Sequence, residues 1–213
     1  MPYRALLLLA VLVPAAARAD TAFNTFSPTT QDYNSNIIFP LGGLYTQGPL
    51  AFPFTSAAGG QVNHFRFAAY TTTPIGSNPA PMIFSIYADA AGQPGALLGQ
   101  WAGDAPATGA QFPQHPAPWD VDVLSGPTLE AGHSYFLAMG LSAAAPGWIG
   151  SSPADAGLPD VVAWRLSGAS WTPVPPAGSY PAFTVTVPAP GTALMMLPLL
   201  IAARRRRQVT GSR

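Results

Sequence analysis

Two aspartates one residue apart, Asp120 and Asp122, are the nearest approach to a reactive pair in this chain. In an extended segment their carboxylates share one face about 7 Å apart, at roughly 3.4 Å per residue. That is close enough for both to hold a calcium ion together with loop carbonyls, and the two are the candidate metal ligands. The alternative is a solvated acidic face, because no D-x-D-x-D-G loop surrounds them. A glycoside hydrolase would also use two carboxylates, placed across a cleft. The nine acids permit such a pair, for instance Asp120 with a loop acid, but no spacing marks one. His64 reads as part of a polar strand face, His115 lies among loop prolines and His133 in a turn, with no H-E-x-x-H spacing among them. No G-x-S-x-G presents a serine nucleophile. The absence of cysteine excludes thiolate-based zinc or redox sites. No catalytic residue and no cofactor is assigned on these grounds.

Aromatic residues offer a second kind of chemistry. Five tryptophans, Trp101, Trp119, Trp148, Trp164 and Trp171, could stack their ring faces on sugars. Trp119 and Trp148 read as loop positions and are the candidate ligand contacts, whereas Trp101 and Trp164 fall in strand patterns and read as core. For Trp148 a loop anchor folded back onto the domain is the competing reading.

The elements that would position these groups are strands. Phe65, Phe67 and Ala69 alternate with His64, Arg66 and Ala68, a period of two with one polar face. The same alternation marks 82–88, 120–123, 135–141 and 183–187, and 97–102 and 161–166 read as further strands. Asp89 to Gly95 predicts a reversal with Pro94 and Gly95 at its centre, and Glu130 to His133 a second turn. Proline and glycine interrupt the chain too often for long helices, and many short strands with turn signals indicate a sandwich or barrel. The expectation is an all-β, two-sheet, jelly-roll-like β-sandwich. Three long proline-rich loops, 104–118, 142–160 and 172–181, are its candidate binding edges.

Charge narrows the partners. The formal net charge of zero conceals a segregation, because seven of the nine basic residues lie near the two ends. All nine acids fall between Asp20 and Asp160, against Arg66 and Arg165 alone, so this portion carries a net −7. Such a surface has no footprint for a phosphate backbone, and nucleic acid is not an expected partner.

Both ends read as targeting segments. Arg4 precedes the apolar run Ala5 to Val13, Pro14 breaks it, and Ala17-Arg18-Ala19 supplies a small-x-small cleavage site. Residues 1–19 thus read as a signal peptide that engages the secretion machinery. At the other end, Pro188 and Pro190 remove two backbone donors, so the preceding strand should stop there. The apolar run Ala193 to Ala203 reaches only about 18 Å as a helix, at about 1.5 Å per residue. That is short of the roughly 30 Å hydrocarbon core. Arg204, Arg205, Arg206 and Arg207 then form a membrane stop that favours the cytoplasmic side, leaving the domain outside.

The motif Val187-Pro188-Ala189-Pro190-Gly191-Thr192, a short hydrophobic helix and an arginine cluster, in that order, resemble the PEP-CTERM sorting signal, also known as an ice-binding-protein C-terminal domain. Ala189 stands where that family has glutamate. The resemblance implies transient anchoring in the inner membrane, processing by an exosortase-like enzyme and delivery to the cell surface; it does not imply ice binding. The division is then 1–19 signal peptide, 20–186 exported domain and 187–213 sorting tail.

Ser85 to Gly95, Leu129 to Phe136, Gly147-Trp148, and Trp164 through Trp171 to Phe183 are similar to choice-of-anchor extracellular domains, the R type in particular, over about Leu50 to Val187. That resemblance brings no catalytic role. The functional expectation is a non-enzymatic exported surface or matrix protein that contacts exopolysaccharide, the alternative being a secreted carbohydrate-active hydrolase with a carboxylate pair.

Overall fold

Period-two alternation becomes antiparallel strands because each such segment has one apolar face to bury. The computed structural model describes residues 19–30, 32–41, 48–71, 81–106, 117–141, 147–151, 162–174 and 180–188. All of them belong to one unit, Ala19–Pro188. In chain order the strands are β1 (Ala19–Asn24), β2 (Asn34–Leu41), β3 (Leu50–Thr55), β4 (Gly60–Gln61), β5 (His64–Phe67), β6 (Ala69–Thr71), β7 (Pro81–Asp89), β8 (Pro94–Asp104), β9 (Trp119–Asp122), β10 (Thr128–Leu129), β11 (Ser134–Leu141), β12 (Gly147–Ser151), β13 (Ala163–Ser167), β14 (Ser170–Val174) and β15 (Phe183–Pro188). No helix occurs among the described residues. The fold is all-β, as expected.

A four-stranded sheet of order β1-β15-β5-β9 and a six-stranded sheet of order β14-β13-β3-β11-β7-β8 supply one shared core, consistent with a β-sandwich. Smaller ladders pair β2-β12-β6 and β10-β4. Phe65, Phe67, Phe183, Val185 and Val187 from the first sheet meet Phe52, Phe54, Met82, Phe84, Ile86, Leu137 and Met139 from the second. Phe84 lies at the centre, with ring centroids 5.1 Å from Phe65, 5.0 Å from Phe67 and 5.8 Å from Trp101. Each such buried side chain contributes about 1.5–3 kcal/mol through removal from water.

The described unit closes on itself. Ala19 pairs with Pro188 and Asp20 with Val187, so the first and last strands are neighbours. β15 runs two residues past the expected boundary at 186: Val187 is fully buried in the main core, and the strand stops at the exposed Pro188. The side chain of Thr25 binds the returning segment. Its hydroxyl donates to the carbonyl of Pro181 at 2.7 Å and accepts from the Phe183 N–H at 2.7 Å.

Two local features stand out, the first of which differs from the sequence reading. The first reversal centres on Ala91 and Gly92, with φ of 56° and 84°, rather than on Pro94 and Gly95. Two successive positive φ values match the twist of the flanking strands, and the Asp89 carboxylate caps the Gly92 N–H at 2.7 Å. Pro94 already belongs to β8. The second turn, with Gly132 at φ 80° and the His133 N–H donated to the Glu130 carbonyl, lies where expected.

The second feature is Pro53 inside β3, an interior strand. A proline there is tolerated because β13 pairs with β3 only at Ala51 and Leu50. The Pro53 carbonyl instead accepts the hydroxyl of the buried Tyr180, whose phenol is pushed well above its ordinary pKa by burial.

Of the loops expected as binding edges, 142–160 contains β12, and 172–174 complete β14. Ala17, the motif residues Ala189, Pro190, Gly191 and Thr192, the apolar run, the arginines 204–207 and His115 lie outside the described residues.

Candidate functional site

Asp120 and Asp122 do share one face of β9, as their spacing required, and the register decides what they meet. β9 is an edge strand; its neighbour β5 places Arg66 opposite Asp120 and His64 opposite Asp122. The Arg66 guanidinium donates from Nε to Asp120 Oδ1 at 2.8 Å and from an η nitrogen to Oδ2 at 3.0 Å, a two-point pair. The His64 ring lies between the acids, with Nδ1 2.9 Å from Asp122 Oδ1 and Nε2 3.1 Å from Asp120 Oδ1. Bonding to Arg66 holds the Asp120 carboxyl below its ordinary value, against the opposing effect of partial burial, and raises the already high pKa of the guanidinium.

This ladder has chemical consequences. A calcium ion shared by Asp120 and Asp122 would have to displace a guanidinium that already uses both Asp120 oxygens. An acid catalyst needs a carboxyl that keeps its proton near neutrality, whereas Asp120 is held ionised. His64 sits on the polar face that its position in the alternation predicted. His133 pairs with Glu130 at 3.3 Å in the exposed turn. Among the described residues no three histidine or acidic side chains are grouped to hold a metal.

The tryptophans are redistributed relative to the sequence reading. Trp119 is the first residue of β9, not a loop residue; its ring packs at 5.6 Å from Phe67 and 6.0 Å from Phe84 and lines the core. It also lies against Gly103, where an added Cβ would come 2.6 Å from the indole. Trp148 stands in β12, opposite Pro40 and Tyr70, rather than in a loop; its side chain lies outside the described residues. Trp101 packs, partly buried, against the main core, where its strand position put it. Trp164 is not in the main core.

Trp164 belongs instead to a second cluster on the opposite, outer face of the six-stranded sheet. There Ala51, Phe136 and Ala138 are buried, and half-buried Tyr87, Trp164 and Trp171 pack on them. The Tyr87 and Trp171 rings stand edge to face, 5.2 Å apart at 81°. Four strand intervals separate their strands in the sheet, about 19 Å at roughly 4.8 Å each. The β13–β14 hairpin must therefore curl over the outer face, which explains why Phe136 is only 2% exposed on the side away from the core. The hairpin is free to curl because only two residue pairs and one bond from the Leu166 N–H to the Pro49 carbonyl tie it to the β3 edge, and Gly168, at φ 63°, makes its tight turn.

The signal for this cluster was present in the alternation. Phe136 and Ala138 are apolar at the positions of β11 that should face water, which marks a strand covered on both sides. The partners Tyr87 and Trp171 could not be read, because they come from strands remote in sequence and in sheet order. Comparison with protein-family models finds no match, and comparison with curated proteins finds no similar sequence.

Proposed function

We propose that this chain is a non-enzymatic exported protein of the cell surface or extracellular matrix that contacts polysaccharide. Residues 1–19 direct export, a jelly-roll-like β-sandwich forms the working part, and the PEP-CTERM-like tail from Val187 onward holds it briefly in the inner membrane for an exosortase-like enzyme. The observation that carries this reading is the extent of the fold. A compact all-β unit covers Ala19–Pro188 with those two residues as ladder partners, so residues 1–18 and 189–213, the greater part of both segments read as address labels, fall outside it, while Ala19, Val187 and Pro188 belong to its strands. The engagement of Asp120 by Arg66 weighs against the hydrolase alternative, which relied on that carboxylate.

Alkaline phosphatase fused after Pro188 tests the export step, since the enzyme matures only beyond the inner membrane. Active fusion protein in living cells is the expected result, and inactive cytoplasmic fusion sinks the proposal.

A further inference from the structure

We infer that the corner formed by Tyr87, Trp164 and Trp171 on the outer face of the six-stranded sheet is the carbohydrate-contacting surface, and that it takes a single, soluble, uncharged polysaccharide chain. The inference rests on the polysaccharide reading above and adds the surface and the class of ligand.

Two observations support it. The cluster is separate from the core and half exposed, so ring faces remain for the apolar C–H faces of a sugar, which the electron-rich π surface attracts. Hydroxyls stand nearby on the same face. Ser134 and Thr55 pair with each other at 3.2 Å two residues along their strands from Phe136 and Pro53, and both are exposed. A sugar chain running along β11 from the level of Tyr87, which pairs with Phe136, meets these groups two strand residues on, at about 7 Å, roughly the length of one or two sugar units.

The form of the ligand follows from angle and charge. Rings at 81° cannot both lie flat on a crystalline sugar surface, whereas a single chain can stack on one ring while its edge touches the other. The exported portion carries nine acids against two arginines, one of them committed to Asp120, so an anionic polysaccharide would be repelled.

The test uses the full chain in mild detergent, titrated with laminarin, mannan and dextran as uncharged soluble chains, alginate as an anionic chain and crystalline cellulose as a flat surface. Binding is read by tryptophan fluorescence and by co-sedimentation. The expected result is saturable binding to at least one uncharged soluble chain, lost at least tenfold in Tyr87→Ala and in Trp171→Ala and largely retained in Trp171→Phe. Circular dichroism establishes that each variant is folded; should Trp171→Ala unfold, Tyr87→Ala together with Thr55→Val decides the matter. Wild-type binding that is unchanged in these variants overturns this surface and leaves the polysaccharide reading intact. Binding only to alginate or cellulose overturns the ligand class. No binding to any probe overturns the surface and that reading together.

Discussion

Val187 lies where the proposed sorting motif and a hydrophobic core overlap, and truncating it separates the two roles. Its side chain is fully buried and packs against Gly60, so closely that a Cβ added there would come 3.2 Å from the Val187 Cβ. Val187→Ala removes two carbons, about 1.6 kcal/mol at about 0.8 kcal/mol per buried methylene. The backbone of β4 cannot collapse into the gap, so a cavity contribution brings the expected loss to about 2–3 kcal/mol. For a unit of this size that is a fall in Tm of roughly 4–12 °C. Urea unfolding followed by tryptophan fluorescence measures it, with Pro188→Ala as the control. Pro188 is exposed, and its replacement should stay within about 0.5 kcal/mol of wild type. Equal, negligible losses for both substitutions would refute the placement of Val187 in the core and leave it as part of the tail alone.

Further predictions concern pH, a turn and a buried hydroxyl. Because Arg66 lowers the Asp120 pKa in the fold, the pair stabilises above the unfolded carboxyl value near 3.8 and is lost as pH falls below it. Both groups are more than a third exposed, so Asp120→Asn should cost no more than about 0.5 kcal/mol at pH 7 and progressively less as the pH falls below that carboxyl value, by urea titration across that range. Ala91 holds a positive φ in a turn that favours Asn-Gly, so Ala91→Asn should raise stability by about 0.5–1 kcal/mol; a loss would contradict the turn geometry. Thr25→Val keeps the shape but strands the Phe183 N–H and the Pro181 carbonyl, for an expected loss of about 2–4 kcal/mol. Thermal unfolding within 2 °C of wild type would count against that bonding.

The strands that alternate, β5, β7, β9, β11 and β15, were legible in the chain with their apolar faces, because a side-chain period of two requires only local order; β3 was not read, and β12 lies in a stretch read as a loop. The reversal after β7 was legible, but its centre was misplaced by three residues: Pro94-Gly95 carries the stronger turn signal, while the twist of the paired strands selects Ala91-Gly92. Asp120 and Asp122 sharing a face was likewise local. That Arg66 and His64 stand opposite them was not, since 54 to 58 residues separate the partners.

What the sequence determined by itself is everything governed by neighbours along the chain: the two terminal address segments as expectations, the segregation of charge, the alternation that makes an all-β fold and the proline that ends its last strand. What only the tertiary structure decided is which faces meet. Sheet order and register set Trp119 against the core, tied Asp120 to Arg66, carried Val187 inside, and brought Trp171 over four strand intervals to Tyr87. The physical reason is that strand pairing is a choice among remote segments, each offering the same backbone donors and acceptors, and it is settled by how well their side chains fill a common interior.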